Sequence, residues 1–403
     1  MYDQTSRPAS KPGLRSSWVA LTGLSAVFLF EMLDNSILNV ALPSISRDLH
    51  ASGLLLPWVT GAYSAAFGVL MLPFGALADR FGRRRVLLVG LVLLGLASLA
   101  TALVTTVEQL IAVRTLMGVA AALTAPGSMA LAFRLFEDDK LRVQAITLLS
   151  TVGLVGLAVG PTLGGLVLAI APWQVLLLVN VPVATLAFVG IRTGIAADGP
   201  PAARDASTDR LWLLVTRPLV SSGLAFKAAA GLATAGLGYL VTLRLQLDWG
   251  WPPALAALGM LPQVVVLLAG GAFVGPFVDR VGLGRAAWMS AAAVVAGLGI
   301  YSGLGRFGYL WVALALALVA AGLRVVGVVA ATNVLRGLPE SRTTLGAALT
   351  DTVTQGASTL GLAVAGTPLS ALGLTGLAAG LVGWGFFRSR GVTSRTTSGT
   401  PVP

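Results

Sequence analysis

Six charged side chains stand inside otherwise apolar stretches of this 403-residue sequence: Glu31, Asp34, Arg114, Lys227, Arg324 and Asp351. A carboxyl group in such surroundings can bind and release protons, and a basic neighbour biases which state it holds. Each charge costs about 2.5–3.5 kcal/mol at the middle of a bilayer, so six approach roughly 15–20 kcal/mol, above the ~5–15 kcal/mol net stability of a typical fold. They must pair, titrate or line a wet cavity. Asp34 lies seven residues before Ala41, and Arg114 lies five residues into its own stretch. At about 1.5 Å per residue both sit about 8–10 Å below the same surface, where they can meet. Such a pair is either a static ion pair or a proton switch, in which separation lets the carboxylate take a proton. Glu31 is one turn from Asp34 on the same helical face, a candidate second acid or cation-recognition group. Lys227 and Asp351 each lie about 15 Å from the opposite surface and are expected to pair, with Gln355 one turn beyond. Arg324 is a further candidate cavity charge.

Other chemistries are excluded by composition. There is no cysteine, and His50 is the one histidine, so no metal site and no cofactor are expected. No G-x-x-x-x-G-K-[ST] phosphate loop is present, so no nucleotide is expected as a partner. Hydrophobic residues make up 56% and charged residues 11% of the chain, against about 25% charged in a soluble domain. Such a chain belongs in a lipid bilayer.

Twelve apolar segments fall near 17–42, 55–78, 85–105, 109–133, 143–170, 173–191, 218–243, 253–277, 286–305, 309–335, 343–366 and 369–387. Each is long enough to cross a hydrocarbon core of about 30 Å. The first is too long for a signal peptide and contains two acids, so it reads as a span. The expected fold is an all-α membrane protein of twelve transmembrane helices in two six-helix halves. Residues 1–192 form the first half and 218–388 the second. A linker covers 193–217, rich in Pro, Ala, Asp and Ser, and a tail covers 389–403. With the N-terminus in the cytoplasm, 21 of the 27 basic residues fall on the cytoplasmic side, 3 outside and 3 within spans. That asymmetry sets both termini and the linker in the cytoplasm of a multi-pass inner (cell) membrane protein. It also accounts for the net charge of +11 without a nucleic-acid partner.

The chain repeats itself. "GALADRFGRRR" (Gly75–Arg85) and "GPFVDRVGLGR" (Gly275–Arg285) share the frame G-x-x-x-D-R-x-G-x-x-R, 200 residues apart. Two halves with this turn after spans 2 and 8 resemble the major facilitator superfamily. "LDNSILNVALP" (Leu33–Pro43) resembles the first-span signature of its drug:proton antiporters. "RTLMGVAAALTAPGSMA" (Arg114–Ala130) resembles the fourth-span motif, with Met117 where the family usually has glutamine. "GLAVGPTLGG" (Gly156–Gly165) resembles the fifth-span motif of exporters. "WQVLLLVNVPVA" (Trp173–Ala184) resembles the start of span 6 in the fourteen-span drug-efflux subfamily. The chain reads as a twelve-span member with fourteen-span-type signatures.

The resemblance implies a conformational latch at Gly75, Asp79, Arg80, Gly82 and Arg83, repeated at Asp279 and Arg280. Asp79 would face the N-terminus of span 11 near "PESRTT" (Pro339–Thr344), and the arginines would pair with "FEDD" (Phe136–Asp139) or simply anchor the cytoplasmic side. Gly156, Gly160 and Gly164 make one small-residue face and Pro161 a kink. The resemblance lays that face against the second half; ordinary close packing is the alternative. Trp58 and Tyr63 are interfacial anchors or cavity walls. The function implied is proton-coupled export of small lipophilic compounds by a monomer, with protons, lipid and a small-molecule substrate as partners. The rivals are an importer on the same fold, and a membrane enzyme or sensor.

Overall fold

Residues 17–136, 138–196, 214–338, 343–367 and 370–396 are described by the structure, a computed structural model. All twelve segments are helical. Spans 1 to 6 are Trp18–Asp48, Leu56–Phe81, Arg83–Leu103, Val107–Arg134, Asp139–Ile170 and Gln174–Gly194. Spans 7 to 12 are Pro218–Asp248, Pro253–Ala269 with Gly271–Val281, Leu283–Leu304, Tyr309–Gly337, Thr343–Ala365 and Ser370–Thr396. Eleven are long and apolar enough to cross a membrane when each bent pair counts as one. Span 11 has 23 residues, enough length for a crossing. It is the least apolar, because it carries Asp351, Gln355 and several threonines.

Local chemistry sets the ends and bends. Thr106 caps span 4 by accepting from Gln109 N, and Asp138 caps span 5 by accepting from Leu141 N. The two Asp-Arg turns each close on a glycine in the left-handed region, Gly82 at φ 98° and Gly282 at φ 81°, where a side chain would be strained. Span 5 bends by 41° between Leu157 and Val159, where Pro161 has no N–H for the Leu157 carbonyl. Span 6 is interrupted at Val179, with Pro182 withholding the bond to Leu178 in the same way. Span 8 turns by 66° around Gly270–Gly271.

The packing repeats with the sequence. Span 1 packs on 5 and 6, span 2 on 4, and span 3 on 4 and 6. Six spans later, span 7 packs on 11 and 12, span 8 on 10, and span 9 on 10 and 12. The halves meet through span 2 on 11, span 5 on 8 and span 1 on 7, as parallel repeats about an axis along the membrane normal do. One expected boundary moves: the last helix continues through the proposed tail start to Thr396. No proline interrupts it, so the backbone continues in helix beyond its apolar stretch. Residues 197–213 of the linker lie outside the described residues.

Candidate functional site: a buried carboxylate beside a cavity between the halves

Asp34 and Arg114 meet, both with no exposed surface. Arg114 Nη1 donates to Asp34 Oδ2 at 2.6 Å, and Asn180 Nδ2 donates to Asp34 Oδ1 at 2.9 Å. Span 1 supplies the acid, span 4 the guanidinium and span 6 the amide. Arg114 Nε also donates to the Val59 carbonyl at 3.2 Å, and Nη1 lies 3.5 Å from Met117 Sδ. Its guanidinium carbon is 4.5 Å from the centre of the Tyr63 ring, a cation–π contact. Among the described residues Nη2 has no hydrogen-bond partner, so the pair is one-pronged rather than the stronger two-pronged form. Breaking a dry ion pair leaves buried charge unpaired and is costly. Tyr63 is thus the wall of this site, whereas Trp58 is half exposed. Asn180 was given no role from the sequence, although it lies within the span 6 stretch Trp173–Ala184 quoted for its resemblance.

Next to the cluster, a cavity of about 150 Å³ opens between the halves. Ser36, Asn39, Thr60, Ser64 and Pro161 line it from the first half, and Thr234, Thr242, Gln263, Gln355 and Ser358 from the second. Amides and hydroxyls dominate its polar wall, so it offers hydrogen bonds of both directions. Asn39 of the first-span signature faces the cavity. The cavity is closed at the end opposite the Asp-Arg turns. There Gln246 Nε2 donates to the Val40 carbonyl at 2.9 Å. A Cβ on Gly165 would lie 2.7 Å from the Pro253 carbonyl, and one on Gly366 would strike Pro57.

The other charged residues sort differently from expectation. Lys227 and Asp351 form no ion pair among the described residues, although Lys227 attracts Asp351 at longer range. Asp351 is exposed and feels Glu31 of span 1 across the gap, so it faces the cleft between halves. Similar depth on neighbouring spans did not bring the side chains together, since depth says nothing of which way each points. Arg324 is no cavity charge here. Its Nη2 donates to the Leu267 carbonyl beside the bend in span 8, where the carbonyls at a helix C-terminus attract a cation.

In the first turn Arg83 Nε donates to Asp79 at 2.8 Å, and both are partly or largely exposed. Arg84 Nη2 donates to the Arg192 carbonyl at the end of span 6 at 2.6 Å. Asp138 is engaged as a helix cap. Residues 339–342, the proposed partner of Asp79, and residue 137 lie outside the described residues. Arg80, Asp279 and Arg280 are exposed. Gly75 is not required for space: an added Cβ would lie 3.7 Å from Pro126, ordinary contact.

The small-residue face of span 5 is corrected. Gly156 packs against Leu29, Gly160 against Ser36 and Gly164 against Ile37, all on span 1 of the same half. Contact with the second half falls to the neighbouring Gly165. A helix of period 3.6 turns Gly165 about 100° from Gly164, enough to reach span 8.

The chain is 42% identical over 175 residues to the puromycin resistance protein pur8 of Streptomyces alboniger, covering 43% of this chain and 35% of that protein. It is 34% identical over 254 residues to the tetracenomycin C resistance and export protein of Streptomyces glaucescens (58% and 47%). It is 31% identical over 253 residues to the methylenomycin A resistance protein of Streptomyces coelicolor (63% and 50%). These matches span between about a third and half of the relatives' own lengths. Two solved structures share the fold at 14% identity. The nucleoside transporter NupG has a TM-score of 0.69 over 93% of this chain and 99% of its own. A bacterial homologue of human lysosomal Spinster, inward-facing and unoccupied, has 0.71 over 93% and 97%. The model of the Major Facilitator Superfamily matches residues 24–362, and the chain belongs to that superfamily.

Proposed function

We propose that this chain is a proton-coupled exporter of small drug-like compounds, working by alternating access between its two halves. The observation that carries the reading is the buried Asp34–Arg114–Asn180 cluster beside a cavity shared by both halves. A proton on Asp34 removes the charge–charge attraction to Arg114 and so weakens the tie between spans 1 and 4. Release of the proton restores it. Substrate enters the cavity from the Asp-Arg side, which the excess of basic residues assigns to the cytoplasm of the cell membrane. The contacts of Gln246, Gly165 and Gly366 form the closed outer end. Glu31 and Asp351 are the acids met on the way in. The Asp-Arg turns act as a latch on the opposite state, in which the cytoplasmic ends come together. A gradient of 100 mV supplies about 2.3 kcal/mol per proton.

The relatives' printed names are resistance and export proteins for puromycin, tetracenomycin C and methylenomycin A, and these compounds are the first substrates to try. Purified protein in proteoliposomes should accumulate one of them against its gradient when a pH difference is imposed, and stop when an uncoupler removes that difference. Accumulation that ignores the pH difference would remove the proton from the mechanism.

A further inference from the structure

The two donors on Asp34 differ in kind. Arg114 offers N–H donors only, whereas the Asn180 amide carries a donor and an acceptor on one flat group. Asp34 has no exposed surface and Asn180 is 2% exposed, so water is not at hand to substitute for either. When Asp34 takes a proton, one oxygen becomes an O–H and needs an acceptor. Arg114 cannot provide one. Tyr63 presents its ring to Arg114, and among the described residues its hydroxyl is not bonded to Asp34, whereas Asn180 already is. Asn180 can, by turning its amide half a turn so that the oxygen replaces the NH₂.

Its place in the chain suits the motion. Asn180 opens the segment Asn180–Gly194 just after the interruption at Val179, and Val183 N reaches the Val179 carbonyl at a loose 3.5 Å. Among the described residues the charged or titratable groups around Asp34 are few. Arg114 comes from span 4, Tyr63 from span 2, and Glu31 from span 1 itself. Span 5 faces this part of span 1 with Gly153, Gly156 and Gly160, and span 7 approaches Asn39 with Gly238.

We propose that Asn180 is a positioning residue that lets Asp34 change protonation state in a dry site. It donates to Oδ1 of the carboxylate. After turning, it accepts the O–H formed on that same oxygen, while Arg114 stays on Oδ2. One proton is taken up from the medium, one N–H···O bond is exchanged for one O–H···O bond, and nothing is oxidised. The proposal rests on Asp34 being the titrating group of the proton-coupled reading.

Infrared difference spectra of the full-length protein between alkaline and acidic buffer test it without a substrate. The Asp34 carboxylic C=O band is identified by its loss in Asp34→Asn. A side-chain amide band that disappears in Asn180→Leu should accompany it. In Asn180→Leu the Asp34 midpoint should move to higher pH by about tenfold in proton affinity, because the charge-assisted bond lost from the carboxylate is stronger than the neutral one lost from the acid. Asn180→Thr, whose hydroxyl donates or accepts, should move it by less. An unchanged midpoint in Asn180→Leu, or wild-type spectra without the amide band, overturns the proposal. Should Asn180→Leu fail to fold, the comparison of wild type with Asn180→Thr decides, and equal midpoints with no amide change overturn it. Absence of any Asp34 band in the wild type is a different failure: it removes the proton switch itself.

Discussion

Asp34 and Arg114 were legible as partners because depth could be counted along two spans that enter from opposite sides. Asp34→Asn should abolish uphill export in proteoliposomes while leaving the protein folded, since the amide keeps the volume and loses the titration. Arg114→Ala leaves the carboxylate without its cation and should destabilise by about 3–5 kcal/mol, read as a lower midpoint in thermal unfolding in detergent. Counting depth failed for Lys227 and Asp351, because it gives no azimuth. With no ion pair between them, a double-mutant cycle of Lys227→Ala and Asp351→Ala should give a coupling of about 1 kcal/mol or less. A larger value would mean that the two close into contact in another state. Asn180 was missed for the opposite reason: an amide carries no charge penalty, so nothing in the sequence demanded a partner for it.

The apolar runs located every helix but not its ends: Thr106 and Asp138 cap spans 4 and 5 upstream of the runs that begin at 109 and 143, and the turn at Gly282 lies beyond the run that ends at 277. What also could not be read was the direction in which a face points. The glycines of span 5 are spaced for close packing, yet that spacing is silent on whether span 1 or span 8 is the neighbour. Gly160→Leu should therefore act within the first half. A side chain at that position overlaps Ser36 of span 1, and overpacking costs about 1–3 kcal/mol or more. Thermal unfolding should drop and export fall with it. Gly165→Leu instead meets the Pro253 carbonyl and Ala257 of span 8. It should spare stability and keep the outer end from closing, which substituted-cysteine accessibility at the outer mouth of the cavity would detect as a loss of protection. If the two variants behave alike, the separation of the two glycine faces is wrong.

The twofold plan of the molecule was visible from the repeated Asp-Arg turn, and the packing repeats at the same six-span offset. Orientation follows from charge alone and can be checked directly, since the sequence contains no cysteine. An impermeant thiol reagent outside intact cells should label Gly250→Cys and not Ser207→Cys; the reverse would invert the topology. One further consequence follows from span 11. Its polar residues serve the cleft, and for that reason it is not apolar enough to pass as a spanning helix on composition. During synthesis the insertion machinery judges each segment largely by its own transfer free energy, and a central aspartate adds about 2.5–3.5 kcal/mol against entry. This helix should enter the bilayer only with help from span 12, which follows it closely, or from the bundle already assembled. A reporter fused after residue 367 should be found substantially on the cytoplasmic side, and one fused after the same loop in a chain that continues through span 12 on the outer side. The polarity that equips the cleft thus makes one helix a late and dependent arrival in the membrane.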